Sequence, residues 1–218
     1  MNFKAAIFDM DGLMIDSMIH WKDCDDGFYS PRGIVVDEKL INRLTGRSMR
    51  ENLEWMKEVY NLKEDVEDLI QERIQQTDQI YTKLCSKMPG TDELIKILKE
   101  NSFKQAVASG SSFSRIEIII DRFGWRDYFE HLISADHVND KSKPDPGIYL
   151  LTAEKLECKP EECVVFEDAE NGVIAAKRAG MACIAVLDKR WSFGDFSEAD
   201  LIVDSLEDKK VFEYLALI

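Results

Sequence analysis

The chain of 218 residues carries 28 lysine and arginine residues against 42 aspartate and glutamate residues, a formal net charge of −14. This acidic balance argues against a nucleic-acid-binding protein, because phosphate backbones are bound by clustered basic side chains. Hydrophobic residues make up 45% of the chain, enough to bury a globular core, so wholesale disorder is excluded and a small ligand is favoured.

Apolar stretches and cysteines indicate the cellular setting. The longest uncharged stretches, such as AVASGSSFS at 106–114, are far shorter than the roughly 18 to 20 apolar residues of a membrane-spanning helix. The N-terminal segment places acidic residues where a signal peptide would continue its apolar region. The five cysteines include no CxxC pair, which favours reduced thiols over a disulfide or zinc framework. We expect a cytoplasmic protein without a membrane partner, and the sequence leaves its oligomeric state open.

Short apolar runs along most of the chain predict buried parallel strands. They lie at 3–8, 103–109, 131–135, 163–168 and 183–187. Amphipathic helical patterns separate them, for example at 116–123 and 173–179, and both of these end at a glycine. This alternation predicts an α/β fold: a doubly wound, Rossmann-like parallel sheet with helices on both faces. Ligands of such sheets bind beyond the carboxyl ends of the strands.

The segment 16–87 breaks this alternation. It contains long helix-compatible stretches rich in Glu, Lys, Gln and Arg and no convincing pair of strands. We therefore expect a helical domain over 16–87, inserted into a core formed by 1–15 and 88–218. Its hinges are predicted near Asp16-Ser17 and near the turn at 88–90, where Pro and Gly define a pivot.

An acidic pair follows the first predicted strand. Asp9 and Asp11 are two residues apart in FDMDG, so an extended backbone would place both carboxylates on one side, and Gly12 would allow a sharp turn. Two crowded carboxylates require a cation or a shared proton. An isolated motif of this kind is equally compatible with solvated aspartates at a strand-ending turn.

Three further polar features follow predicted strands. Ser109-Gly110 precedes a helix, where a hydroxyl and free amides form an anion site, although such a serine is more often a helix N-cap. Lys143 lies in KSKPDP, whose prolines can aim its ammonium inward, although a lysine in a polar loop is usually solvated. Glu167 and Asp168 end another strand, where acids also commonly cap the next helix.

The convergence of these features favours a catalytic site. Four strand ends or their loops would bring six side chains to one rim of the sheet: Asp9, Asp11, Ser109, Lys143, Glu167 and Asp168. Independent helix caps would not supply two acid pairs, a hydroxyl and a lysine together. The acids suit Mg²⁺, which takes oxygen ligands, and phosphoryl transfer depends on such neutralisation of charge.

The ordered motifs resemble those of the haloacid dehalogenase-like hydrolases. The matching segments are DMDG at 9–12, Ser109, Lys143 in KPDP, and Glu167-Asp168 in FEDAENG. The chain is most similar to the phosphatase and β-phosphoglucomutase branch of that family, which carries a helical cap after the first strand. The resemblance spans essentially the whole chain.

For catalysis, the resemblance implies an aspartyl-phosphate mechanism with Mg²⁺. Asp9 would attack phosphorus, and Asp11 would protonate the leaving oxygen and then activate water. The carboxylates of Asp9 and Asp168 and the backbone carbonyl of Asp11 would hold Mg²⁺, with Glu167 binding it directly or through water.

For binding, the resemblance implies a small phosphorylated metabolite. Ser109, Gly110 and Lys143 would hold the phosphoryl oxygens. Arg47 and Arg50, in the TGRSMR segment of the predicted cap, are candidates for contacts with the rest of the substrate.

The function favoured by the sequence is a phosphatase, with a sugar phosphomutase as the alternative. In the mutases that the chain resembles, a cap histidine couples closure to the acid/base aspartate, and here that position falls on Trp21. The cap arginine of those mutases falls on Met49, and their Lys-Asn pair after the motif serine falls on Ser112-Phe113. Each departure removes a charge-assisted donor that would hold a second phosphate or support closure.

Two remoter functions are disfavoured. A phospho-receiver switch uses similar residues on a doubly wound sheet, but receivers lack an inserted helical domain. Dehalogenation is disfavoured because relatives with that activity lack the second aspartate of the first motif, and Asp11 is present.

Overall fold

The computed structural model describes residues 3–45, 47–139, 141 and 143–217. Within these residues a six-stranded parallel sheet has the order β3-β2-β1-β4-β5-β6. The strands are β1 (Ala5–Phe8), β2 (Lys104–Ser109), β3 (His131–Ser134), β4 (Cys163–Glu167), β5 (Ala182–Val186) and β6 (Leu201–Val203). The predicted α/β class is confirmed, and five strands lie where the apolar runs indicated. The short edge strand β6 was not predicted.

The sheet is buried on both faces because alternate side chains of its central strand enter different apolar layers. Ala6 and Phe8 of β1 pack into one layer, whereas Ala5 and Ile7 pack into the other. The first layer is completed by α5 (Thr91–Glu100), α6 (Phe113–Phe123) and α9 (Lys209–Tyr214), and the second by α7 (Gly147–Lys155) and α8 (Glu170–Arg178).

Within the described part of the chain, four α-helices lie between β1 and α5 and pack on one another. They are α1 (Met18–Tyr29), α2 (Glu38–Leu44), α3 (Met49–Tyr60) and α4 (Val66–Gln79). Their buried apolar residues form a third cluster, which includes Phe28, Leu40, Leu53 and Leu69. We call 18–79 the helical segment. Among the described residues, no helix is both long enough and apolar enough to span a membrane.

The chain leaves the sheet for the helical segment and returns from it at adjacent points. Ile15 pairs with Lys87 as an antiparallel bridge. Next to it, the Asp16 amide donates to the Ser86 carbonyl at 3.0 Å, and the Met88 amide donates to the Met14 carbonyl at 2.9 Å. The two connections are therefore joined by backbone hydrogen bonds near the predicted hinge residues.

Candidate active site

Three acidic side chains meet where β1 and β4 end. Asp9 follows β1, Glu167 ends β4, and Asp168 comes next; β1 and β4 are neighbours whose register pairs Phe8 with Phe166. Oxygen atoms of the three carboxylates lie within 4.8 Å of one another, and all three residues are buried. Parallel pairing thus brings together acids that are far apart in sequence.

Lys143 lies among these acids. Its ammonium donates to Asp9 Oδ1 at 2.5 Å, to Glu167 Oε1 at 2.6 Å and to the carbonyl of Ala108 at 3.0 Å. The side chain is only 1% exposed. An ammonium has three protons, so each has an acceptor, and Lys143 is not the solvated loop lysine of the alternative interpretation.

Three buried carboxylates surround one ammonium, and the pKa values of Asp9 and Asp168 are raised above their ordinary values. Burial raises the pKa of Asp9 to about 7, with Lys143 opposing and Glu167 reinforcing the rise. Burial also raises the pKa of Asp168 well above its ordinary value, and the charges of Asp9 and Glu167 add to that rise. For Lys143, burial alone would lower the pKa, but the adjacent Asp9 and Glu167 carboxylates raise it. Three buried carboxylates around one ammonium favour binding of a further cation.

Glu167 is fixed by more contacts than the sequence indicated. Its Oε1 also accepts a hydrogen bond from the Tyr149 hydroxyl at 2.5 Å, and its Oε2 accepts from the backbone amides of Asp168 and Ala169. Tyr149 was not predicted as a site residue, because an aromatic residue within an apolar helical pattern is typical of the hydrophobic core.

Two glycines leave space for the acids. Gly12 has φ of +85°, and a Cβ there would lie 2.1 Å from Asp168 Oδ2. A Cβ at Gly172 would lie 1.9 Å from the Glu167 carboxyl carbon. No other residue fits at either position without displacing a carboxylate. The turn predicted at Gly12 therefore also permits the close approach of Asp168.

Asp11 is held by three hydroxyl groups. Oδ1 accepts hydrogen bonds from Ser17 Oγ at 2.7 Å and from the Tyr81 hydroxyl at 3.0 Å, and Oδ2 accepts from Ser111 Oγ at 2.7 Å. Asp9 and Asp11 line the same cavity. Of the three donors, Tyr81 lies in the helical turn Ile80–Leu84 that directly follows the helical segment, so the chain returning from this segment helps to orient Asp11.

Ser109 and Gly110 lie at the end of β2 and line the cavity. Ser109 is 1% exposed, and its hydroxyl accepts a hydrogen bond from the Ser111 amide at 3.1 Å. The N-cap of α6 is Ser112, so Ser109 does not serve as the helix cap of the alternative interpretation.

A cavity of about 360 Å³ separates this rim from the helical segment, and Arg47 and Arg50 line its far side. Arg47 donates to Glu51 at 2.8 Å and to Asn171 Oδ1 at 3.4 Å, while its Nε is buried without a hydrogen-bond partner. Arg50 forms an ion pair with Glu67 at 2.7 Å.

Three of the four positions at which the sequence departs from the mutase pattern also face this cavity; Phe113 does not line it. Trp21, Met49 and Ser112 all line it. Their location beside the acids makes them relevant to the choice between hydrolysis and isomerisation.

Comparison with known proteins identifies the family. The model of the haloacid dehalogenase-like hydrolases matches residues 6–186. The chain belongs to this family. The matched range contains every site residue predicted from the sequence, from Asp9 to Asp168.

Similar proteins include phosphatases and a mutase. Hexitol phosphatase B of Escherichia coli K12 is 35% identical over 185 residues, 84% of this chain and 82% of that protein. A phosphorylated carbohydrates phosphatase of Thermotoga maritima is 32% identical over 178 residues, 82% of each chain. The crystal structure of β-phosphoglucomutase from Clostridium difficile is 26% identical, with a TM-score of 0.81, and the match covers 99% of this chain and 98% of that chain. These relatives support an enzyme of the phosphoric monoester hydrolase class.

Proposed function

We propose that the protein is a Mg²⁺-dependent phosphatase that hydrolyses a small phosphomonoester, a sugar phosphate or similar, through an aspartyl-phosphate on Asp9. The observation that carries this proposal is the buried cluster of Asp9, Glu167 and Asp168 around Lys143, at the wall of a cavity large enough for a small metabolite. The hexitol and carbohydrate phosphatases among the relatives support the same substrate class.

The residues of the cluster fit Mg²⁺. Their donors are all oxygens, and the three carboxylates carry more negative charge than Lys143 offsets. We assign the carboxylates of Asp9 and Asp168 and the carbonyl of Asp11 as ligands, with Glu167 binding directly or through water. When bound, the ion neutralises charge on the phosphoryl group.

In the first half of the reaction, a carboxylate oxygen of Asp9 attacks phosphorus and the bond to the leaving oxygen breaks. Lys143 anchors Asp9 through Oδ1 and reduces repulsion between two anions. Asp11 gives its proton to the leaving oxygen, which departs as an alcohol. Ser109 and Gly110 hold the phosphoryl oxygens, and Lys143, whose three protons are accepted by Asp9, Glu167 and the Ala108 carbonyl, attracts these oxygens by its charge.

In the second half, Asp11 accepts a proton from water as that water attacks the phosphorus of the aspartyl-phosphate. The bond from phosphorus to Asp9 breaks, which regenerates the carboxylate and releases inorganic phosphate. The hydroxyls of Ser17, Tyr81 and Ser111 fix the orientation of Asp11 for both transfers.

We further propose that residues 16–87 form a cap over a core of 1–15 and 88–218, and that cap closure gates the reaction. The paired connections at Ile15 and Lys87 supply a common pivot. Closure would exclude water while the phosphoryl group is transferred to Asp9. Crystals grown with and without a phosphate analogue should differ in cap orientation; an identical orientation in both would contradict gating.

The proposed function is tested by Mg²⁺-dependent phosphate release across a panel of small phosphomonoesters. Asp9→Asn should lower turnover on the order of 10⁴-fold or more, because the nucleophile is lost. Asp11→Asn should slow turnover severely yet bind Mg²⁺ almost normally, because its carbonyl is kept. Asp127→Asn, an exposed substitution of the same kind, should match the wild type. Full activity in the Asp9 variant would refute the mechanism.

Hydrolysis rather than isomerisation is favoured by Trp21, Met49 and Ser112 at the cavity wall. The deciding experiment supplies β-glucose 1-phosphate with a trace of the 1,6-bisphosphate and follows glucose 6-phosphate and free phosphate together. Efficient isomerisation with negligible phosphate release would establish the mutase instead.

A further inference from the structure

The far wall of the cavity contains a buried ion pair that takes no part in the mechanism above. Arg73 of α4 donates from Nη2 to Asp25 Oδ1 at 2.5 Å and from Nη1 to the Cys24 carbonyl at 3.0 Å. The Arg73 side chain is 4% exposed, and its guanidinium lies about 5 Å from the ring centres of Trp21, Phe28 and Tyr29. Cation–π contacts and the ion pair therefore hold Arg73 rigidly.

Asp25 is the member of this pair that can receive a ligand. Its second oxygen accepts no hydrogen bond from the described residues, and Asp25 lines the same cavity as Asp9 and Asp11. Trp21 lies four residues earlier on α1, so Trp21 and Asp25 share one face of that helix. An aromatic surface beside a fixed carboxylate suits a ligand that has both C–H faces and hydroxyl groups.

The remaining charges of the cavity wall disfavour a second anion on the ligand. Every arginine on the described part of this wall already has a carboxylate within ion-pair distance, and no lysine occurs on it. The pairs are Arg47 with Glu51, Arg50 with Glu67, Arg73 with Asp25, and Arg115 with Asp78. A second phosphate or a carboxylate on the leaving group would meet the Asp25 charge without an uncompensated cation to offset it.

We propose that Asp25, held in place by Arg73, accepts a hydroxyl group of the leaving group and selects phosphomonoesters of uncharged polyols or sugars over those with a second anionic group. This inference rests on the proposed phosphatase function and names its substrate class. Asp25 is a specificity-determining residue, and Arg73 is a positioning residue that acts through it.

Two matched substrate pairs separate the two parts of the proposal. Sorbitol 6-phosphate and hexyl phosphate have the same carbon chain, but only the first has further hydroxyls. Glucose 6-phosphate and glucose 1,6-bisphosphate differ only by a second phosphate.

Burial raises the pKa of Asp25 to about 6, with Arg73 opposing, so assays at pH 8 keep the carboxylate ionised. The measured quantity is kcat/KM for phosphate release with Mg²⁺.

Asp25→Ala should lower the ratio of kcat/KM for sorbitol 6-phosphate to kcat/KM for hexyl phosphate on the order of 10- to 100-fold, because a hydrogen bond to a charged acceptor is lost. In Asp25→Asn the amide oxygen still accepts from Arg73, and the NH2 group in place of the second oxygen can donate to a ligand hydroxyl, so this variant should retain most activity on sorbitol 6-phosphate. Because it lacks the charge, it should narrow the preference for glucose 6-phosphate over the bisphosphate. Asp23→Asn, at an exposed position of the same helix, should change neither ratio.

Hydrolysis of p-nitrophenyl phosphate separates failure of this inference from failure of the proposed function. Its leaving group has no further hydroxyl, so its hydrolysis by each Asp25 variant reports whether that variant is folded and active, and the kcat/KM values for the other substrates are compared as ratios to it. No Mg²⁺-dependent hydrolysis of any ester by the wild type would overturn the proposed function itself. Wild-type activity with both substrate ratios unchanged in Asp25→Asn and Asp25→Ala would overturn the role of Asp25 alone.

Discussion

The two walls of the cavity are built in different ways. On the sheet side, Asp9, Ser109 and Glu167 are fixed by the strands that they end or follow, so the backbone positions them. On the helical side, Asp25 and Arg73 are positioned by each other across two helices. The residues proposed for phosphoryl transfer are thus positioned by the sheet backbone. The residues proposed to contact the leaving group are positioned by a side-chain ion pair, which a single substitution can remove.

The largest effect is expected on the sheet side, at Lys143. In Lys143→Met, Asp9 and Glu167 remain buried without their counter-charge, so the free energy of unfolding should fall by about 3–5 kcal/mol and turnover should be lost. Urea unfolding of the metal-free protein at pH 7.5 measures this. Lys141→Met, an exposed substitution in the same loop, is the matched control. Equal stability of the two variants would contradict the contribution of the buried ammonium.

Mg²⁺ should stabilise the sheet side in a pH-dependent way. Without metal, the pKa of Asp9 is about 7 in the folded protein against an ordinary value of 3.8. The folded state therefore holds this proton more tightly than the unfolded chain. The stability contributed by Asp9 falls as the pH rises from about 4 to 7 and is level above that range.

Since Mg²⁺ binding requires the ionised carboxylate, the rise in melting temperature on adding Mg²⁺ should be larger at pH 8 than at pH 5.5. Thermal unfolding at both pH values measures this, with Asp168→Asn as the variant that should lose most of the shift. A shift that is equal at the two pH values would contradict the linkage.

A smaller effect is expected where the two walls meet at Asp11. Tyr81→Phe removes one of three hydroxyl donors to that carboxylate, so kcat should fall roughly 5- to 10-fold. KM should change little, because Tyr81 orients the acid/base group and is not among the residues of the cavity wall. Phosphate release at saturating substrate measures the effect, and Tyr60→Phe at an exposed site is the control. An unchanged kcat would show that Ser17 and Ser111 suffice to orient Asp11.

The smallest effect is expected at the contact between the C-terminal end of α2 and the first turn of α8. Asn171 donates to the carbonyls of Asn42 and Thr45 at 3.2 and 3.0 Å, which joins the helical segment to the motif that contains Asp168. Asn171→Ala should raise KM about three-fold and leave kcat nearly unchanged, because water can replace these partly exposed bonds. Asn101→Ala, at the exposed C-cap of α5, is the control. A fall in kcat without a change in KM would place Asn171 in the chemical step instead.

The difference between the walls also explains what the sequence could predict. Short apolar runs followed by acids, serine or lysine indicated the sheet, its class and the residues that meet at its rim, because parallel strands align their ends. Tyr149 was not predicted, since a single hydroxyl within an apolar pattern carries no periodic signal, and Tyr81 was not predicted because it lies in a Gln- and Glu-rich stretch without a motif. The Asp25–Arg73 pair joins helices far apart in sequence, and no local rule pairs them. β6 has only three residues, too few to show a period.

The bridge between Ile15 and Lys87 has a consequence for how such a protein can diversify. Because the inserted chain begins and ends at touching points, its closure entropy depends only weakly on its length, roughly 0.6 kcal/mol for each doubling. Insertions, deletions and exchanges within it therefore need not strain the register of the sheet. Selection can therefore change the helical segment, which we propose recognises the alcohol, while the residues at the rim of the sheet, which we propose break the phosphoester bond, stay the same.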